Sequence, residues 1–302
     1  MLKRMKMVGI LLVAVLCVVL FVGFQADFLA RGLVFHPPKF PAGDWEPEGV
    51  VFEEVSFPVE STRKTALSLA SSSSSSATGS KTKKQTLVGW YFPHPDPKAV
   101  ILYSHGNAAN VTAFPGFAGL LRNRFSASVL VYDYRGYGKS GGTPSTSGIL
   151  ADGRAAANWL AAKEGVDVTD IVQWGQSLGG SVAVDLAADS GARGLIVESG
   201  FTSLPDMAKR ISKALPAKTL LREELSSVDK IAKFRGPVFI SHGKADGVIP
   251  YEQGERLFEA ANEPKTFYTP PPGEDTHSAR LTEEHLERLD AWFAGLSEGH
   301  QM

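Results

Sequence analysis

The residues with the clearest chemical potential lie in the run Asp170-Ile-Val-Gln-Trp-Gly175-Gln176-Ser177-Leu178-Gly179-Gly180, which leads into an alanine- and valine-rich stretch. Read locally, this is a strand, a sharp turn and a helix, with Ser177 on the turn. The glycines two residues either side answer a steric need. A serine held on such a strained turn brings its neighbours' backbone too close to accept a Cβ. Gly175 and Gly179 are therefore read as the nucleophile turn. Ser177 heads the helix, where unpaired N–H groups and the dipole favour developing negative charge.

A serine hydroxyl is a weak nucleophile until a base removes its proton, so a histidine and an orienting acid must accompany it. With a nucleophile turn of this type, acid and then histidine follow in chain order. Pro237-Val-Phe-Ile-Ser-His-Gly243-Lys-Ala-Asp246 ends a strand and offers Asp246; Thr266-Phe-Tyr-Thr-Pro-Pro-Pro-Gly273-Glu-Asp-Thr-His277 ends the next and offers His277. Both belong at the carboxyl edge of a parallel sheet, where Ser177 also emerges. The rivals have plainer readings. His285 falls in a polar amphipathic helix and reads as a solvated face residue, and His300 lies in the tail. His242 precedes the acid and reads as a satisfied, partly buried histidine. Asp275 is two residues from His277, while Glu198 and Asp206 are the fallback acids.

Acyl transfer also needs donors for an oxyanion, each worth about 3 kcal/mol in the transition state. One expected donor is the backbone N–H of Leu178. The other comes from His105-Gly106-Asn107-Ala108, the loop after Val100-Ile-Leu-Tyr-Ser104, with Asn107 as donor and Ala108 as the alternative. A β-turn that needs only Gly106 is the bland reading of that loop.

Other chemistries find little support. Gly136-Tyr-Gly-Lys139-Ser140 resembles the end of a phosphate-binding loop, but Asp133 stands where the first glycine is required. No cofactor is implied, and no His/Asp/Glu cluster has metal-ligand spacing. The net charge of −1 gives no long-range attraction to nucleic acid. The one cysteine, Cys17, excludes an intramolecular disulfide. Nothing in the chain fixes an oligomeric state.

The elements that must position these residues alternate. Strands are expected at Val50–Phe57, Leu87–Phe92, Val100–Ser104, Ser128–Asp133, Asp170–Gly175, Gly194–Glu198, Pro237–His242 and Lys265–Thr269. Helices are expected at about 109–123, 146–164, 177–189, 250–262 and 280–296, and a modest amphipathic one within 201–236. Short apolar strands separated by helices imply an α/β domain: a mostly parallel eight-stranded sheet covered on both faces, with a small or absent cap. With 302 residues, 43% hydrophobic and 21% charged, the chain can bury such a core.

Ahead of this domain, Lys3, Arg4 and Lys6 precede an apolar stretch from Val8 to Phe24. Seventeen helical residues at about 1.5 Å each span about 25 Å, the low end of a bilayer core. Residues 1–30 are expected to be a single-pass transmembrane anchor. The positive flank keeps that end cytoplasmic and puts the rest on the periplasmic, lumenal or extracellular side. A cleaved signal is the alternative, but no small-x-small site follows the run. Residues 31–49 read as a connector and 50–302 as the catalytic domain, with a flexible Ser-rich insertion at 61–86 that includes six serines at 71–76.

Taken together, Ser104-His-Gly-Asn-Ala108, Tyr132-Asp-Tyr-Arg-Gly-Tyr-Gly-Lys-Ser-Gly141, Gly175-Gln-Ser-Leu-Gly-Gly180, Glu198-Ser-Gly-Phe-Thr-Ser203 and the Gly243–Pro250 loop resemble one branch of the α/β-hydrolases. That branch holds single-pass, membrane-anchored serine hydrolases, including protein depalmitoylases, and neighbours serine aminopeptidase-like and prolyl-oligopeptidase-like hydrolases. The likeness covers about residues 50–296 and implies the α/β-hydrolase fold with Ser177, Asp246 and His277 as a catalytic triad. Its expected substrate is a small molecule or an acyl, lipid-like ester, thioester or amide. An aminopeptidase of the same fold and a catalytically silent, membrane-tethered scaffold are the alternatives. Gln176, where many relatives carry a basic residue, and the Ser-rich insertion depart from the pattern without touching the three residues.

Overall fold

A computed structural model describes residues 34–59, 85–211, 225–277 and 281–298. The expected anchor and residues 61–84 of the Ser-rich insertion lie outside them, whereas Gln85 and Thr86, expected to close that insertion, open a strand by pairing with Val59 and Pro58. Among the described residues no helix is long and apolar enough to cross a membrane.

Among the described residues, eight strands form one sheet: β1 (Glu53–Val59), β2 (Gln85–Phe92), β3 (Ala99–Ser104), β4 (Ala127–Tyr132), β5 (Ile171–Gln176), β6 (Gly194–Glu198), β7 (Val238–Ser241) and β8 (Lys265–Tyr268). Their order is β1-β2-β4-β3-β5-β6-β7-β8. β1 pairs antiparallel with β2, and β2 with β4; β4, β3 and β5 to β8 run parallel. Alternate residues of each strand feed opposite cores, as the period of two requires. Val100, Leu102, Leu130 and Tyr132 join one apolar cluster, while Ile101, Tyr103, Val129 and Val131 join the other. The first is covered by α2 (Thr146–Glu164) and the Leu178, Val182 and Leu186 face of α3 (Leu178–Ser190), the second by α1 (Pro115–Arg124) and the closing α7 (Glu283–Glu298). A third cluster under α6 (Tyr251–Ala260) completes the core around Leu195, Val197, Val238 and Ile240.

Local chemistry explains where the helices start. Ser145 caps α2 by accepting from the Gly148 amide at 3.1 Å, and Gly165 closes it in the left-handed region at φ 69. The stretch expected to be helical from about 109 is instead a short 3-10 turn, Val111–Ala113, and α1 begins only at Pro115. Proline suits the first helical turn and disfavours helical backbone in the residue before it. Between β6 and β7 the described part holds α4 (Leu204–Ile211) and the five-residue α5 (Ser227–Ile231).

Among the described residues, β1 and β8 form the two edges of the sheet. β8 has four residues, and β1 carries Glu53 and Glu54, paired to Lys163 at 3.0 Å and Lys139 at 2.7 Å. At the interior, the chain steps from β3 outward to β4 and then back across to β5. Loops leaving β3 and β5 therefore part at a switch in strand order, where sheets of this kind leave a crevice at their carboxyl ends.

Candidate active site

β5 ends at Gln176 and α3 begins at Leu178, so one residue makes the turn. Ser177 sits there at φ 54, ψ −117. Such backbone costs about 1–3 kcal/mol and persists only when its surroundings hold it. Here the Ser177 amide donates to the Glu198 carbonyl at 2.9 Å, and the Gly180 amide to the Ser177 carbonyl at 3.0 Å. A Cβ added to Gly175 would meet the Gly179 carbonyl oxygen at 2.1 Å, and one on Gly179 the Ser104 carbonyl oxygen at 1.8 Å. Both obstacles are backbone and cannot swing aside.

The loop after β3 lies against this turn: a Cβ on Gly106 would stand 3.8 Å from the Ser177 Cβ. Among the described residues, the amides of Asn107 and Leu178 have no acceptor. His105 anchors the loop from beneath. It is fully buried, its Nδ1 bonds the Gly106 carbonyl at 2.8 Å, and its Nε2 lies 3.5 Å from Asp133 Oδ1. The Tyr134 hydroxyl donates to the His105 carbonyl at 2.8 Å.

Asp246 follows β7 and His277 follows β8, and the structure brings them together. Asp246 Oδ1 accepts the Val248 and Ile249 amides at 2.8 Å each, and Oδ2 accepts from His277 Nδ1 at 2.8 Å. Burial alone raises the carboxyl's pKa, but hydrogen bonds from His242, His277 and the Ile249 amide outweigh it and hold the group well below the usual carboxylate range. His277 is thereby oriented with Nε2 as the nitrogen that bonds to none of the described residues. The Ser177 hydroxyl likewise bonds to none of them; in sites of this type that contact often tightens only when substrate is bound. Gln176 bridges the two loops, its side-chain amide donating to the His277 carbonyl at 3.2 Å.

The other acids and histidines have distinct places. Asp275 staples the acid and base loops: it accepts the Ala245 amide at both its carbonyl and Oδ2, and the Gly273 amide at Oδ1, each at 3.1 Å. His242 is buried, bonds the Ile249 carbonyl through Nε2 at 3.0 Å and stands 3.4 Å from Asp246 Oδ2, so it supports the acid from behind. Asp206 is paired with Lys209 and Arg256. His285 corrects the sequence reading. It is buried against Phe239 and Tyr268 rather than solvated, and desolvation lowers its pKa to about 4. The polar pattern of α7 placed His285 on the wrong face, because it carries no sign of the strands beneath. Glu198, whose carbonyl anchors Ser177, is also nearly enclosed; burial raises it to about 7 despite the Trp174 indole donating to it at 3.0 Å.

Sequence reasoning missed the connector's part in this site. The Asn107 side chain donates to the Val34 carbonyl at 2.5 Å and accepts the His36 amide at 3.0 Å and the Tyr137 hydroxyl at 2.7 Å. The signal was present in the density of aromatic residues and prolines in Phe35-His36-Pro37-Pro38, unusual for a solvated linker. No group of three or more His, Cys, Asp or Glu among the described residues could hold a metal ion.

Comparison with known proteins identifies relatives of the chain. A family model described as "Serine aminopeptidase, S33" matches residues 95–228. The chain is 35% identical to uncharacterized protein YfhR of Escherichia coli over 67% of its own length and 74% of that protein. It is 33% identical to alpha/beta hydrolase domain-containing protein 17B of Xenopus laevis over 66% of its length and 68% of that relative. An uncharacterized protein of Mycobacterium tuberculosis is 38% identical, and the chain spans 66% of that relative's length. Among solved structures, the Pyrococcus furiosus esterase Pf2001 superposes with TM-score 0.65 at 16% identity, covering 87% of this chain and 98% of that one. An acetyl xylan esterase from Paenibacillus gives 0.55 at 17%, covering 70% and 80%. At such identities these structures speak for the shared fold.

Proposed function

The chain belongs to the α/β-hydrolase superfamily, and from that premise we propose that it is a serine hydrolase that cleaves an acyl ester, thioester or amide through Ser177, His277 and Asp246. One observation carries the reading: the 2.8 Å bond from His277 Nδ1–H to Asp246, with Gln176 tying the histidine's loop to the residue before Ser177. Nδ1 being committed to the acid, Nε2 is the nitrogen free to take the serine proton. Ser177 Oγ attacks the carbonyl, and the oxyanion forms against the amides of Leu178 and Asn107. The imidazolium, stabilised by the Asp246 charge, returns the proton to the leaving group, and water releases the acyl chain by the same route.

The proposed substrate is an acyl or lipid-like ester, thioester or amide. Leu178, Phe201, Leu204, Ile249 and Phe35 belong to one apolar cluster, with Val34 and Met207 half-buried against it. Most of these side chains are closed within the core, so the acyl or lipid-like preference rests on the proposed attachment of the enzyme to a membrane. The family model's description favours a second reading, an aminopeptidase. Residues 1–30 are proposed to hold the enzyme on the non-cytoplasmic side of a membrane; carbonate-resistant sedimentation of the full chain, with protease access from that side only, tests this.

The chemistry is tested with a fluorophosphonate probe on native protein, Ser177→Ala and Ser181→Ala. Labelling of native and Ser181→Ala but not Ser177→Ala is expected; an unlabelled native protein points instead to a silent scaffold. Hydrolysis of p-nitrophenyl esters of graded length against aminoacyl anilides then separates esterase from aminopeptidase.

A further inference from the structure

We propose that the connector at residues 34–45 is a positioning strap for the oxyanion site, acting through the Asn107 side chain; this rests on the hydrolase reading above. The loop from His105 to Asn110 must hold the Asn107 amide at a fixed place near Ser177, yet the chain provides no regular element there. Its buried half is fixed by His105. Its outer half is fixed by the connector, more than seventy residues earlier in the chain.

The contacts form a continuous seam. The Asn107 carboxamide is fully used: Nδ2 donates to the Val34 carbonyl at 2.5 Å and lies 3.1 Å from His36 Nδ1, while Oδ1 accepts the His36 amide and the Tyr137 hydroxyl. Three residues on, Asn110 donates to the Ala42 carbonyl at 3.0 Å. Beyond it the connector bridges the loop after β4: Lys39 pairs in parallel with Gly138, the Gly138 amide donates to the Pro38 carbonyl at 2.8 Å, and the Phe40 amide to the Gly138 carbonyl at 3.0 Å. The fit at Gly43 is close enough that a Cβ there would meet Thr112 Oγ1 at 1.8 Å. Phe35 is buried and Trp45 packs edge-on against Trp90, so apolar contacts fix both ends of the strap.

The physical consequence is specific. Asn107 contributes its backbone amide to the reaction and its side chain to the strap, so motion of the strap moves the donor. An error of about 1 Å in a catalytic contact lowers the rate by about 100-fold. Removing an oxyanion donor outright lowers it by about 10² to 10³. Asn107→Ala keeps the amide and cuts its side-chain ties to Val34, His36 and Tyr137.

The test uses the full chain, with active sites titrated by the fluorophosphonate. Asn107→Ala is expected to lower kcat per titrated site by about 10- to 100-fold with KM changed less than about threefold. The Ki of an alkyl boronic acid, whose tetrahedral anion occupies the oxyanion site, rises in parallel with that loss. Tyr137→Phe, which deletes one of the ties in a buried ring, gives a smaller loss of the same kind and keeps the test sharp should Asn107→Ala fold poorly. A merely structural role lowers the titre of active sites and leaves kcat per site and boronate affinity unchanged. That result in a variant of a labelled native enzyme overturns the strap alone, whereas native protein that never labels overturns the hydrolase reading and the strap with it.

Discussion

Replacing Asp246 by Asn separates orientation of the base from integrity of the fold. The carboxylate makes two kinds of bond. Oδ1 accepts the Val248 and Ile249 amides, and a carboxamide oxygen preserves both. Oδ2 faces His277 Nδ1 at 2.8 Å and His242 Nε2 at 3.4 Å. In the variant an NH₂ group takes that place and can only donate. It selects the imidazole tautomer with the proton on Nε2, which removes the lone pair that must accept the serine proton. Loss of the charge also leaves the imidazolium uncompensated. A wrong tautomer of this kind costs about 10⁴ in kcat, or about 5.5 kcal/mol. The assay is kcat on a p-nitrophenyl ester together with a melting curve. Asp246→Asn is expected to lose that factor and to remain folded at a lower Tm, since the donors that hold the carboxylate ionised no longer face a charge. Asp275→Asn weakens the staple between the loops, so its Tm also falls, but its kcat per titrated site stays near native. A variant at 246 that keeps a tenth of the native kcat, or a variant at 275 that loses more activity per site than it does, refutes the assignment of the acid.

Further outcomes follow from the same geometry. Gly179→Ala drives a Cβ to 1.8 Å from the Ser104 carbonyl oxygen, so it should cost about 4 kcal/mol or more in urea unfolding, or fail to yield soluble protein. Glu198 keeps its proton to about pH 7 when folded, whereas the unfolded chain releases it from about 4.5. Stability therefore declines as pH rises through that window, and Glu198→Gln should match native protein near pH 4 yet exceed it by up to about 3 kcal/mol at pH 8, read from denaturant midpoints. If the pH profiles of the native protein and this variant run parallel, the carboxyl is not held protonated by burial. Arg135 and Asp152 form a buried bidentate pair at 2.6 Å under the loop after β4; Arg135→Met strands the acid and should lower stability by about 3 kcal/mol or more by chemical denaturation.

Much of the architecture was legible because the strands are short, apolar and bounded by turn residues. All eight expected strands are present within a few residues of their predicted bounds, and α2 begins and ends where Ser145 and Gly165 direct it. The same is true of the turn at Ser177, since Gly175 and Gly179 announce a backbone that excludes Cβ atoms. Chain order also brought Asp246 and His277 to adjacent strand ends, although their 2.8 Å contact depends on β7 and β8 being neighbours. What eluded the sequence were contacts between distant segments. His285 lies on a helix whose pattern reads as polar, and only packing on Phe239 and Tyr268 buries it. Asn107 gave no hint that its side chain is used by Val34 and His36. Local propensity carries no information about such partners, because their pairing is decided by tertiary closure.

The open rims of the sheet bear on behaviour at high concentration. A long, flat, apolar border strand offers unpaired N–H and C=O groups to any neighbour and seeds fibrous association. Neither border here is of that type. One is four residues long, and the other presents two glutamates already claimed by lysines from its own fold. Another extended chain would have to displace those ion pairs and place its backbone beside carboxylates, so neither of these two borders is a good template for strand addition.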